Sequence, residues 1–213
     1  MAHRRTFISQ LTAAAAAFAI DPDELRAASN VRAGAWDTSW LDRLKSANYR
    51  VVFNVSDISD GIVGDYVSSF LDGYRDVHGT SDADMRAVAV FRRNGTGMGF
   101  NDAMWDKYGI GEYSKVKDSA TKAFARRNVF WHHAGNSQDT ALESLTARGL
   151  ISLVCNQATH GFAYGLGQQN NLAADTVYAD LSKNLIPGAV LVPTGIWALI
   201  RAQNAGCAFM QGT

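Results

Sequence analysis

The chain is 213 residues long and carries 20 Lys and Arg against 20 Asp and Glu, so its formal net charge is zero. Hydrophobic residues make up 47% and charged residues 19%, the balance of one globular domain with a full core rather than of a disordered chain. A charge-driven grip on nucleic acid finds no support at this balance, and no run is long enough to span a bilayer as a mature helix.

At the N-terminus, His3-Arg4-Arg5-Thr6-Phe7-Ile8 precedes an alanine-rich, uncharged run from Leu11 to Ile20. Paired arginines before a mild apolar stretch resemble a twin-arginine export signal. Ala17-Phe18-Ala19 offers a small-x-small cleavage site, which sets the signal at 1–19, and a later cut follows Ala28. An amphipathic helix of the folded domain fits poorly here, because 13–17 is uniform alanine with no polar face. The signal implies an exported, periplasmic protein with no stable membrane insertion once it is removed. Losing Arg4 and Arg5 leaves the mature chain slightly acidic.

The segment 20–48 is mixed and polar, with Trp36, Trp40, Leu41 and Leu44 at helical spacing, and Asp37 or Thr38 is expected to cap a short helix reaching about Ser46. Tyr49 to Val55 is a β-branched run ending at Ser56-Asp57, the first strand. From Gly61 to His78, Ile62, Val63, Tyr66, Val67, Phe70, Leu71 and Tyr74 recur at three- and four-residue steps, which predicts an amphipathic helix. After Gly79-Thr80-Ser81-Asp82, Met85 to Phe91 is apolar but for Arg86, as a strand buried on both faces should be. Arg92-Arg93 and Arg126-Arg127 read as solvated loop or helix edges. Asn94-Gly95-Thr96-Gly97-Met98-Gly99 lacks both the P-loop ending and the dinucleotide glycine spacing, so a flexible loop is expected.

A helix over 100–108 stops at Gly109-Ile110-Gly111, and 112–139 reads as a polar, irregular surface excursion. Thr140 to Ala147 is helical, with Gly149 closing it. A third strand covers Leu150 to Val154. Two helical pieces, Thr159–Gly167 and Ala173–Leu181, come next. Pro187-Gly188 turns into a strand over Ala189–Val192. Thr194 is expected to cap a helix reaching Asn204, and Cys207–Met210 is a last short strand. Strands separated by helices predict an α/β domain, a three-layer α/β/α sandwich on a mainly parallel sheet.

Cys155 falls where an apolar strand stops and a polar turn, Asn156-Gln157, begins. In a parallel α/β protein that place is the carboxyl end of a strand, where helix N-termini face a crevice and ligands gather. A thiol so placed tends toward thiolate, the nucleophilic form. The alternative is a small buried hydrophobe, the usual fate of a free cysteine. His160, one helical turn beyond Asn156, would favour the thiolate as an imidazolium within ~4–6 Å; otherwise it is an ordinary surface or core histidine. In an oxidising compartment Cys155 and Cys207 could pair, if their Cα atoms lie within about 7 Å.

The stretch Leu185-Ile186-Pro187-Gly188-Ala189-Val190-Leu191-Val192-Pro193-Thr194-Gly195-Ile196-Trp197-Ala198-Leu199-Ile200-Arg201-Ala202-Gln203 carries a Pro-Gly turn, a strand, Val-Pro-x-Gly and a Leu-Ile-Arg-x-Gln helix. With the Gly206 to Phe209 strand, this block resembles the C-terminal signature of DsrE/DsrF-like proteins. Arg148-Gly149 through Cys155-Asn156 resembles that family's Gly–strand–Cys-Asn segment, and Val51–Ser56 its first strand. The resemblance covers most of 49–91 and 140–210 in order. It implies a DsrE-like α/β/α domain over 49–213 on about five parallel strands, with an insertion at about 94–139. It also implies homo-oligomers and a sulfur relay in which Cys155 carries persulfide sulfur; by their positions, Asn156 at the turn would hydrogen-bond the anion and His160 would favour the thiolate. The partner would be a sulfur donor or acceptor protein or a small thiol, and no cofactor is called for.

Two other readings stand beside it. His132, His133, His160, Cys155 and Met98 are soft or borderline metal ligands, although adjacent histidines diverge too far to share one ion easily. Alternatively the domain is a non-catalytic oligomeric module for a small ligand or metal. Its insertion, with Trp105, Tyr108, Tyr113, Phe130 and Trp131, would then cover the crevice or a neighbouring subunit, unless these aromatics are simply core.

Overall fold

Tyr49–Val55 (β1) and Met85–Phe91 (β2) pair in parallel from Tyr49 opposite Met85 to Val55 opposite Phe91, in a computed structural model that describes residues 36–132 and 140–213. The expected export signal, most of the 20–48 segment and His133 lie outside the described residues. Ile151–Cys155 (β3) pairs with β2, and Val190–Val192 (β4) with β3. Ala208–Gln211 (β5) pairs with β1 on its other side. The result is one five-stranded, all-parallel sheet in the order β4-β3-β2-β1-β5. All five expected strands are present, each within a residue or so of its expected bounds.

The helices are Trp40–Lys45 (α1), Val63–His78 (α2), Asp102–Tyr108 (α3), Ile110–Tyr113 (α4), Leu142–Ala147 (α5), Asn156–Asn170 (α6), Ala174–Leu181 (α7) and Gly195–Asn204 (α8). Their placement tracks the direction of travel across the sheet. From β1 to β4 the chain steps one way, and α2 to α7 all pack on one face. The return to β5 reverses the step, and α8 crosses on the other face, where α1 joins it. Connections of a single hand require this switch. The strands feed both layers by alternation: Val51, Phe53 and Val55 meet the α2–α7 layer, while Val52 meets Trp40, Leu44, Ala198 and Leu199 of α1 and α8. Burying a side chain such as Phe53 or Val52 contributes about 1.5–3 kcal/mol, which is why these strands read as continuous apolar runs.

Helix ends carry their own chemistry. Thr194 caps α8 as expected, its hydroxyl accepting from the Trp197 N–H at 3.0 Å. Asn101 does the same for α3, accepting from Met104 at 3.2 Å. At α1 the N-cap position is Ser39, and the Asp37 carboxylate accepts from the Ser39 N–H at 2.8 Å. Gly79 ends α2 in the left-handed region at φ 65°.

One expectation about the insertion is corrected and another holds in part. The glycine-rich segment is not a flexible loop: Arg93–Gly99 is a 3₁₀ helix whose residues 95–99 are all buried. A Cβ on Gly95 would stand 2.5 Å from the Val55 carbonyl oxygen, and one on Gly99 would stand 2.5 Å from Val154 Cγ2. The glycines let this segment lie directly on the ends of β1 and β3. The expected surface excursion holds for most of 112–124, which is largely exposed, but the chain then turns inward, where Ala125, Asn128 and Trp131 are buried. Asn128 acts as the clamp. Its side-chain amide donates to the carbonyls of Met98 and Phe100 at 2.9 and 2.8 Å, and its Oδ1 accepts from the Phe130 N–H at 3.1 Å. Trp105 Nε1 donates to the Gly97 carbonyl at 3.1 Å. Trp105, Tyr108, Ile110 and Trp131 therefore belong to the core of the α2–α7 layer, the simple-core alternative for these aromatics.

Among the described residues no helix is long and apolar enough to cross a membrane.

Candidate functional site

Cys155 is both the last residue of β3 and the N-cap of α6. The strand ends there because the chain turns at once into a helix, whose first residue, Asn156, favours a terminus over an interior. The thiol takes the capping role usually given to a hydroxyl or carboxylate: Sγ accepts from the Ala158 N–H at 3.4 Å. The Thr159 hydroxyl donates to the Cys155 carbonyl at 3.0 Å, which fixes the first turn of α6. Cys155 is only 5% exposed, and it lines a cavity of about 300 Å³ at the carboxyl edge of β2, β3 and β4.

Three sets of residues build this cavity. Arg92, Arg93 and Asn94 come directly after β2, Cys155, Gln157 and Gly161 come from the start of α6, and Thr194, Gly195 and Ile196 open α8. Two helix N-termini therefore face one space, each bringing partial positive charge. Arg92 is held in place, its Nε donating to Asn54 Oδ1 at 2.5 Å. Its stem packs on the α8 terminus so closely that a Cβ on Gly195 would stand 2.9 Å from Arg92 Cβ. Arg93 is different. It is exposed, its backbone sits in the left-handed region at φ 50°, which costs a non-glycine residue roughly 1 kcal/mol, and its guanidinium has no partner among the described residues. Asn94 Nδ2 donates to Asp57 at 3.1 Å. Tyr113 and Phe162, in edge contact with ring centroids 5.3 Å apart, form the apolar wall.

The other two sequence candidates face elsewhere. Asn156 Oδ1 accepts from the Tyr178 hydroxyl at 2.7 Å. His160 is exposed and stacks on the same ring, with centroids 3.8 Å apart and planes at 10°. One helical turn apart, both lie on the side of α6 that meets α7, whereas the cavity is lined from the Gln157, Ala158, Gly161 and Phe162 side. The structure thus brings Cys155 together with Arg92, Arg93 and Thr194 rather than with His160. The signal for the arginines was in the sequence: a basic pair directly after a strand stands at the sheet's carboxyl edge, beside the strand that ends in Cys155.

Cys207 has a contrasting setting. It precedes β5 and sits in the core under α8, where burial pushes its thiol up to about 11, against a smaller opposing effect of Arg50. Both cysteines are free thiols. The soft metal-ligand candidates are dispersed. His132 Nδ1 lies 2.8 Å from a Glu143 oxygen, Met98 is fully buried, His160 stacks on Tyr178, and no group of three or more His, Cys, Asp or Glu suited to a metal occurs among the described residues.

A larger cavity of about 450 Å³ lies apart from Cys155, lined by Asp60, Asp65, Lys115 and Lys117 over an apolar floor that includes Met98 and Phe130. No family model matches the chain, and no curated protein matches it.

Proposed function

We propose that this protein is an exported, DsrE-like sulfur carrier that acts through Cys155. The observation that carries the reading is the position of the residue: at the carboxyl edge of a parallel sheet, its thiol capping a 15-residue helix, in the lining of a cavity. The exchange needs no external oxidant. The Cys155 thiol gives its proton to solvent, and the thiolate attacks the outer sulfur of a persulfide R–S–SH. The old S–S bond breaks, Cys155–S–SH forms, and R–S⁻ leaves to take up a proton. The reverse sequence unloads the sulfur onto an acceptor thiol. Asn156 and His160, turned toward Tyr178, have no direct part in this step.

The export part of the reading rests on Arg4-Arg5 and the apolar run after them. The homo-oligomer part is supported by β5, an edge strand whose four residues are all exposed, Phe209 and Met210 among them.

Intact mass spectrometry tests the carrier reading. Protein incubated with a persulfide donor should gain the mass of one sulfur atom, lose it on reduction, and show no gain as Cys155→Ser. A wild-type protein that takes up no sulfur from protein or small-molecule donors ends the reading.

A second reading, a non-catalytic small-ligand module, is favoured by the larger cavity. Its two carboxylates and two ammoniums form no ion pair with one another among the described residues, an arrangement suited to a small zwitterion. Free amino acids that raise the melting temperature equally in wild type and Cys155→Ser would favour it.

A further inference from the structure

We propose that the Cys155 cavity selects anions, that Arg93 is the residue that reads the negative charge, and that the sulfur donor is accordingly a small carboxylate-bearing persulfide. The donor class rests on the reading of Cys155 as the reacting thiol, whereas the selection of anions does not.

The charge of the lining is one-sided. Among the described residues, Arg92 and Arg93 are its only charged members and no carboxylate lines the space. Asp57, a carboxylate after β1, is engaged by Asn94. Of the two guanidiniums, Arg92 is committed to Asn54 and packed on Gly195. Arg93 stands free at the mouth, with no hydrogen bond or ion pair among the described residues. A planar guanidinium with its donors unused suits a carboxylate, which it can take with two parallel hydrogen bonds.

The backbone points the same way. Arg93 is held at φ 50° by the turn that brings the buried 3₁₀ segment back over β1 and β3, and this turn places residue 93 at the cavity. The cavity also has an apolar wall in Tyr113, Phe162 and Ile196. A fitting ligand is therefore amphipathic: an anionic group at Arg93, and a sulfur-bearing end lying against the aromatic wall within reach of Cys155. Bulk anions without an apolar part satisfy only half of that lining.

Charge-selective alkylation tests the proposal on the full folded protein. The rate at which iodoacetate modifies Cys155, relative to neutral iodoacetamide, should exceed the same ratio measured on the unfolded chain by about five- to tenfold, the effect of one or two screened charges a few ångströms away. Added potassium chloride should depress the iodoacetate rate and leave the iodoacetamide rate nearly constant. Arg93→Gln should return the ratio toward the unfolded value, and Arg93→Lys should keep part of it, since charge survives while the planar fork is lost. A folded-state ratio equal to that of the unfolded chain, or one unmoved by Arg93→Gln, overturns the proposal. Loading with glutathione persulfide and with an uncharged alkyl persulfide separates the two readings. Selective alkylation without sulfur uptake from either donor keeps the anion site and removes the carrier. Equal uptake from both donors keeps the carrier and overturns the anionic donor.

Discussion

Cys155 and Cys207 stand at opposite edges of one parallel sheet. Cys155 closes β3 at its carboxyl end, Cys207 precedes β5 at its amino end, and β2 and β1 lie between the two strands. Three interstrand spacings alone separate them by roughly 14 Å, about twice the Cα span a disulfide tolerates. The pairing that an oxidising compartment would permit is therefore closed to them within one chain, and each thiol keeps its own chemistry.

That chemistry should differ sharply. Iodoacetamide at near-neutral pH is expected to label Cys155 through its cavity and to leave Cys207 unmodified in the folded protein, as read by peptide mass mapping. Cys207 should label only as the pH climbs toward its raised value of about 11. Because burial raises that thiol, its ordinary unfolded pKa is the lower one, and the unfolded chain loses this proton first. Stability contributed by the neutral thiol is complete below the unfolded value and falls as the pH rises through the folded one. Labelling of both cysteines at equal rates in the folded state would leave Cys155 a packing residue.

Asn128→Ala should destabilise the domain by about 2–3 kcal/mol, since it leaves the Met98 and Phe100 carbonyls buried without donors. The measurement is urea unfolding followed by tryptophan fluorescence. A loss below about 0.5 kcal/mol, the scale of a neutral surface change, would mean that the insertion is not clamped by this residue.

Arg148, at the end of α5, ties α2 to the 3₁₀ turn before β2, donating to Asp72 at 2.7 Å and to Asp82 at 3.1 Å. Burial alone would raise the Asp72 carboxyl, but the hydrogen bond and charge of Arg148, with help from Ser68 and Arg75, outweigh it and hold the pKa below its ordinary value. A lowered carboxylate contributes stability above its unfolded pKa and loses it as the pH falls through the folded one. Arg148→Met should therefore cost roughly 1 kcal/mol at neutral pH, the upper end for partly exposed pairs. The gap to wild type should narrow as the pH drops below about 4. A gap independent of pH would assign the loss to packing of the arginine stem.

Replacing Arg4-Arg5 with Lys-Lys should abolish export, as read by cell fractionation, and leave the full-length chain inside the cell. Unchanged export would remove the twin-arginine reading and, with it, the periplasmic setting.

Mainly apolar runs at Tyr49–Val55, Met85–Phe91 and Leu150–Val154, separated by helical periodicity, were enough to read an α/β sheet, because strands buried on both faces are near-continuously apolar rather than alternating. The Thr194 cap and the carboxyl-edge position of Cys155 were legible for a related reason: chain order alone sets which residues stand at the end of a strand. Other features were decided by packing between segments far apart in the chain. Whether Asn94–Gly99 is loop or core depends on how close Val55 and Val154 come to Gly95 and Gly99, which no local pattern encodes. Asn128 reads as a loop residue until the Met98 and Phe100 carbonyls, about thirty positions earlier, are brought to its amide. The same limit governed the site. Spacing put His160 one turn from the start of α6, but the angular position on that helix gives His160 and Asn156 to Tyr178, while the sheet order sets Arg92 and Arg93 beside Cys155. Local sequence fixes the period of an element, and only the assembled layers fix which side chains meet.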